Sequence, residues 1–236
     1  MDAIDVSYTV SGEGPPLYMV HGIGSRRVTW DALLPELEDH FTCIRYDLRG
    51  HGESPVPPVP YSLDDLVDDL EALRMRLGHE RIHVIGHSLG GHNAIFTAAF
   101  EPRITVLAIS CGFDAFPDYF KGIEKKWLAG AGWCQTCYMP RLANYRGQLN
   151  QIPFDFPELL GALAPRRLFV NAPLGDGNFR WQSVDRCAAA ARPIYKLIGS
   201  EDDLIIKHPD CGHDFPEPLR QAAYRTIASV LHPEES

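Results

Sequence analysis

The chain is short of positive charge: 22 Lys and Arg stand against 31 Asp and Glu, a formal net charge of −9, and the basic residues form no cluster. A surface of that sign repels phosphate backbones and anionic headgroups, so neither nucleic acid nor membrane is an expected partner. The expected ligand is small and uncharged or cationic. Long apolar runs are also missing, and no segment approaches a membrane span. The N-terminal stretch "MDAIDVSYTVSG" lacks the basic start and apolar centre of a secretion signal, which makes the expected location cytoplasmic. Neither G-x-G-x-x-G nor a P-loop occurs, so nucleotide binding is not indicated. There is no internal repeat and no low-complexity tract. The six cysteines, Cys43, Cys111, Cys134, Cys137, Cys187 and Cys211, need no pairing in a reducing compartment.

What is present is apolar material in short pieces. With 236 residues and 45% hydrophobic content, the chain can bury a full core, and one domain over 1–236 is expected. Six β-rich runs at 17–20, 42–47, 81–86, 104–110, 167–172 and 204–208 each have an apolar centre without strict alternation, as suits parallel strands covered on both faces. Helical patterns at about 27–39, 62–77, 89–100, 183–198 and 216–231 separate most of them. The clearest begins at Ser62, where Asp65 completes a capping-box pattern and Leu63, Leu66, Val67, Leu70, Leu73 and Leu77 recur at helical spacing. This alternation predicts an α/β fold with a doubly wound, mostly parallel sheet. Two stretches depart from it. The proline-rich 54–62 is expected to be an extended loop, and 111–163, longer than a crossover needs and dense in aromatics, is expected to be a small lid insertion.

Gly86-His87-Ser88-Leu89-Gly90 matches G-x-S-x-G and sits between a predicted strand and a predicted helix. A serine on such a tight turn is pushed out above the sheet, and glycines two residues either side let neighbouring backbone come close. With "MVHGIG" at 19–24 and "YDLRGHGES" at 46–54, this motif makes the chain resemble the α/β-hydrolase superfamily along nearly its whole length. The resemblance implies a nucleophile at Ser88 and an oxyanion hole formed by the backbone N–H groups of Ile23 and Leu89. The part up to about residue 90 resembles the lactonase and aryl-esterase type, whereas "FDFPELLGALAPRRLFVNAPLGDGNF" and "PDCGHDFP" resemble the dienelactone-hydrolase and acetyl-xylan-esterase type.

A serine hydroxyl needs a general base, usually histidine, which a carboxylate holds in the right tautomer. On this fold the chain order is serine, acid, histidine, and His213, in a loop between the last predicted strand and the last predicted helix, is the candidate base. Two acids compete. Asp202 lies in a Gly-x-x-Asp step of the kind the superfamily often uses, but only 11 positions precede His213 and the strand at 204–208 takes five of them. Returning to the same sheet edge requires a crossover of about a dozen residues or more. Asp176, directly after the strand at 167–172, leaves room for a helix and a strand before His213, and is preferred.

The expected activity is hydrolysis of small carboxylic esters, with short acyl or aryl portions, by Ser88, His213 and Asp176 through an acyl-enzyme, with no cofactor and no metal. Serine at the nucleophile position disfavours the dehalogenase and epoxide-hydrolase branches, which carry aspartate there. Alternatives are carbon–carbon bond hydrolysis on the same triad and a hydrolase-like ligand receptor. The lone Cys134-x-x-Cys137 could be redox active or half of a zinc site, and the grouping His208, Cys211, His213 also resembles a ligand set, but the sequence around them supports neither.

Overall fold

The computed structural model describes residues 2–22, 24–135 and 138–231. Seven strands form one sheet: β1 (Tyr8–Ser11), β2 (Pro16–Val20), β3 (Thr42–Tyr46), β4 (Ile82–His87), β5 (Ile104–Ser110), β6 (Arg167–Asn171) and β7 (Leu204–Lys207). The spatial order is β1-β3-β2-β4-β5-β6-β7. Among the described residues only β1 pairs antiparallel, with β3, and every other neighbour is parallel. The doubly wound, mostly parallel sheet expected from the sequence is therefore present, with β1 as an addition.

Six α-helices are described: α1 (Leu34–Leu37), α2 (Leu63–Leu77), α3 (Leu89–Phe100), α4 (Phe156–Leu163), α5 (Trp181–Leu197) and α6 (Glu217–Leu231). Successive strand residues face opposite sides. Tyr18 and Val20 of β2 join a cluster with α2, α3, α4 and α5, while Leu17 and Met19 join a smaller one with Trp30, Leu37 and α6. Both faces are thus covered, which is why these strands have apolar centres without strict alternation. The helix expected at 27–39 is instead a 3-10 helix over Arg27–Leu33 followed by the single turn α1.

The segment after β5 is a chain of short 3-10 turns between 119 and 151, closed by α4. Its aromatics do not form a separate layer. Phe113, Phe116, Trp127 and Trp133 are all buried within the large cluster, so this segment shares the core of the sheet domain.

One buried ion pair anchors the loop after β3. Arg49, fully buried, binds Asp69 of α2 through Nε to Oδ2 (2.6 Å) and Nη2 to Oδ1 (2.7 Å), and Asp69 also accepts the N–H of Ile4 at 2.8 Å. Removing Asp69 takes away the closer, two-point partner of a buried charge and leaves Arg49 with Asp65, 3.5 Å away. Asp69→Ala is expected to cost about 3–5 kcal/mol and to lower Tm by about 10 °C, read by thermal unfolding at neutral pH. A Tm within about 2 °C of wild type would contradict this.

Candidate active site

Ser88 stands between the end of β4 and the start of α3, with φ 56° and ψ −128°. That conformation is costly for any residue with a Cβ, by about 1–3 kcal/mol. Backbone bonds hold it: Ser88 N–H donates to Ser110 O at 2.8 Å, and Ser88 O accepts from Gly91 and His92 at 3.0 and 3.2 Å. The flanking glycines have a steric reason. A Cβ on Gly86 would lie 2.4 Å from Gly90 O, and one on Gly90 would lie 2.1 Å from Val20 O. Only glycine lets β4, α3 and the end of β2 meet this closely.

Leu89 opens α3, so its N–H is one of those a helix leaves without an internal partner. The turn after β2 approaches it, since an added Cβ on Gly22 would lie 3.7 Å from Leu89 N. His21 is buried and braces that turn. Its Nε2 accepts the N–H of Leu48 at 3.0 Å, so Nδ1 carries the proton and donates to Gly22 O at 2.8 Å. Burial lowers the His21 pKa and keeps the ring neutral. Ile23, the other expected oxyanion donor, lies outside the described residues.

Asp176 and His213 are 37 positions apart and hydrogen-bonded, His213 Nδ1 lying 3.0 Å from both carboxylate oxygens. The juxtaposition follows from strand pairing that continues past β6 and β7. Ala172 N–H donates to Lys207 O (2.8 Å), Leu174 N–H to Pro209 O (3.0 Å) and Gly175 N–H to Cys211 O (2.9 Å). Asp176 Oδ1 also accepts the N–H groups of Asn178 and Phe179 at 2.7 and 3.2 Å. The carboxylate is 2% exposed and the imidazole 25%. Burial pushes the Asp176 pKa up, but the His213 bond and the two N–H donors outweigh it and hold the group below the usual carboxylate range. Asp202, by contrast, lies in the 3-10 turn Glu201–Asp203 at the start of β7, and His213 follows the other end of that strand.

Ser88 and the Asp176 loop meet at a cavity of about 360 Å³ lined by Ser88, Leu89, Tyr119, Phe120, Gly177 and Phe179, among others. The ring of His87, next to Ser88, lies 5.2 Å from that of His213. No hydrogen bond joins Ser88 Oγ to His213 among the described residues; in ligand-free sites such bonds are often long and tighten only with substrate.

A buried polar chain that the sequence did not disclose lies behind these groups. His87 Nδ1 is 3.0 Å from Ser110 Oγ, Asn171 Nδ2 donates to Ser110 Oγ at 2.9 Å, and Asn171 Nδ2 donates to Asp214 O at 2.8 Å. It ties the Ser88 turn to the residue after His213. Burial, with the neighbouring His213, lowers the His87 pKa to about 4, so that ring is neutral at pH 7.

The grouping His208, Cys211, His213 does not hold as a ligand set. His208 Nδ1 faces Ala172 O at 2.7 Å and Nε2 faces Asp185 at 2.8 Å, so both its nitrogens are engaged. Cys111, Asp176 and His213 do bring ligand-type atoms within 4.8 Å of one another. There, however, the imidazole and carboxylate are bound to each other, and burial pushes the Cys111 thiol far above its usual pKa, against the thiolate a metal needs. Cys134 is buried, its thiol directed to Leu128 O and Pro140 O; Cys137 lies outside the described residues.

Asp114, fully buried after β5, accepts the N–H of Arg180 on Oδ2 at 3.2 Å, while Oδ1 has no hydrogen-bond partner. Burial, aided by Asp118 and Asp155 and opposed by Arg180, raises its pKa to about 7. The folded value exceeds the unfolded one, so this group's stabilisation is complete below about pH 4 and is lost as pH rises to about 7. Asp114→Asn is expected to raise stability at pH 8 by about 2–4 kcal/mol and to leave it near wild type at pH 4. Equal Tm shifts at both values would refute the assignment.

Residues 15–136 match the family described as alpha/beta hydrolase fold. Among curated relatives, a fluoroacetate dehalogenase of Burkholderia sp. is 31% identical over 97% of this chain and 76% of its own length. A pimeloyl-[acyl-carrier protein] methyl ester esterase of Aeromonas hydrophila is 34% identical over 54% of this chain and 50% of its own length. The chain spans only 32% to 41% of the first curated relatives it matches. A solved hydrolase from Pseudomonas aeruginosa superposes with TM-score 0.68 at 25% identity, over 96% of this chain and 94% of that one. No helix among the described residues is long and apolar enough to cross a membrane.

Proposed function

The chain belongs to the alpha/beta hydrolase family, and we propose that it hydrolyses small carboxylic esters through an acyl-enzyme on Ser88. The observation that carries this reading is the placement of Ser88, on a strained turn, beside a cavity whose wall continues into the loop of the Asp176–His213 pair. Ester hydrolysis is also in the name of the Aeromonas relative.

In this reading Ser88 Oγ attacks the ester carbonyl carbon and gives its proton to Nε2 of His213. Asp176 holds the Nδ1 proton and stabilises the imidazolium. Charge developing on the carbonyl oxygen is met by the N–H groups of Leu89 and Ile23. As the tetrahedral intermediate collapses, the carbon–oxygen bond to the alcohol breaks and the alcohol leaves with the Nε2 proton. Water then attacks the acyl-enzyme, passing a proton to Nε2. The acid departs and Ser88 Oγ takes that proton back.

The test is turnover of p-nitrophenyl acetate and p-nitrophenyl butyrate by the purified protein. Hydrolysis of at least one ester well above the buffer blank is expected, and failure with both would overturn the ester reading.

A further inference from the structure

Two lysines contribute to the wall of the cavity beside Ser88. Lys121 and Lys126 line it together with Ser88 and Asn178. Neither lysine side chain has a hydrogen bond or ion pair among the described residues. None of the five lysines has a carboxylate partner among the described residues, and what sets Lys121 and Lys126 apart is their place in the wall of the cavity that Ser88 lines.

Several acids of the surrounding elements have partners other than these lysines. Asp118 is bound by Arg180 and Arg186, Glu124 accepts the N–H of Gly147 at 2.7 Å, Asp114 accepts that of Arg180, and Asp176 is bound to His213. The backbone that carries Lys121 is itself strained. Phe120 (φ 49°) and Lys121 (φ 60°) are consecutive non-glycine residues in the left-handed region, each at a cost of about 1–2 kcal/mol. Packing sustains this turn: the Phe120 ring meets Tyr119 at 4.7 Å, and Tyr119 stacks on Trp133 at 3.7 Å. A costly turn thus places a lysine without a side-chain partner in the wall of the cavity that Ser88 also lines.

We propose that Lys121 and Lys126 form a carboxylate-binding subsite, so that the substrates are small esters carrying an anionic carboxylate. The identification of the substrate as an ester rests on the function proposed above; capture of the carboxylate does not. The net charge of the chain, which favours uncharged or cationic ligands, is a poor guide here, because a cation in the wall of the cavity acts on a bound ligand more strongly than distant charges screened by salt.

The test compares monomethyl glutarate with its neutral counterpart methyl butyrate by acid release, in wild type, Lys121→Asn, Lys126→Gln, the double variant and Lys126→Arg. The expected result is a higher kcat/KM for the anionic ester. The ratio of anionic to neutral kcat/KM falls about three- to tenfold for each lysine lost, chiefly through KM, and Lys126→Arg restores most of it. The preference also shrinks as salt is raised. In parallel, glutarate binding is followed by tryptophan fluorescence in wild type and the double variant, which needs no turnover. Hydrolysis of both esters with a ratio indifferent to the lysines, or no glutarate binding by wild type, overturns the subsite and leaves the esterase reading standing. Glutarate binding that the double variant loses, without hydrolysis of any ester, upholds the subsite and overturns the esterase reading.

Discussion

Asp176→Asn is expected to lower kcat for ester hydrolysis by about 10⁴-fold, with Asp202→Asn close to wild type. The asparagine can still accept the N–H groups of Asn178 and Phe179 on its carbonyl oxygen, so the loop keeps its shape. Its amide then directs N–H towards His213 Nδ1, which must become an acceptor. The ring proton moves to Nε2, and a protonated Nε2 cannot take the proton of Ser88. The loss comes from the wrong tautomer, and Tm should change little. Asp202, in the turn that precedes β7, has the whole strand between itself and the His213 loop. Equal losses in both variants, or a fully active Asp176→Asn, would contradict the assignment.

The second large effect separates activity from stability at one position. Ser88→Ala and Ser88→Gly should each lower kcat by at least about 10⁴-fold, because both remove the hydroxyl. Their stabilities should differ. Alanine keeps the Cβ and with it the cost of φ 56°, whereas glycine occupies this conformation freely. Ser88→Gly should be more stable than Ser88→Ala by about 1 kcal/mol after the extra entropy of glycine in the unfolded chain is counted. That corresponds to a Tm about 2–4 °C higher. Equal melting temperatures would mean that the turn carries no strain, and with it would go the view that the fold maintains an exposed serine at a cost.

The elements legible in the sequence were those whose own composition determines them. The parallel strands are buried on both faces and so have apolar centres without strict alternation, and α2 announces itself through Ser62, Asp65 and a leucine stripe, with both bonds of the capping box present. The Gly86-x-Ser88-x-Gly90 turn is legible because only glycine tolerates those approaches. Asp176 emerged over Asp202 from chain length alone, since a parallel crossover cannot be made in 11 residues. β1 escaped notice because Tyr8–Ser11 is four residues long, lies at an edge and pairs antiparallel. α4 had a signal, the Asp155-x-x-Glu158 capping box with Pro157 in its first turn, but its eight residues were absorbed into the long segment before it.

What could not be read is what depends on pairs of distant residues. His87, Ser110 and Asn171 meet only because β4, β5 and β6 are neighbours. Lys121 and Lys126 gain their meaning from their place in the cavity wall, a tertiary fact: in sequence Lys126 lies two residues from Glu124, yet that carboxylate faces Gly147.

The most direct test is the fate of Ser88 itself. The protein is mixed with p-nitrophenyl acetate, quenched in acid within the first turnovers, digested and weighed peptide by peptide. The expected result is one acetyl group on the peptide containing Ser88, with a burst of p-nitrophenol approaching one equivalent, and neither in Ser88→Ala. Turnover with no acetyl group on Ser88, or with the label on another residue, would contradict the acyl-enzyme.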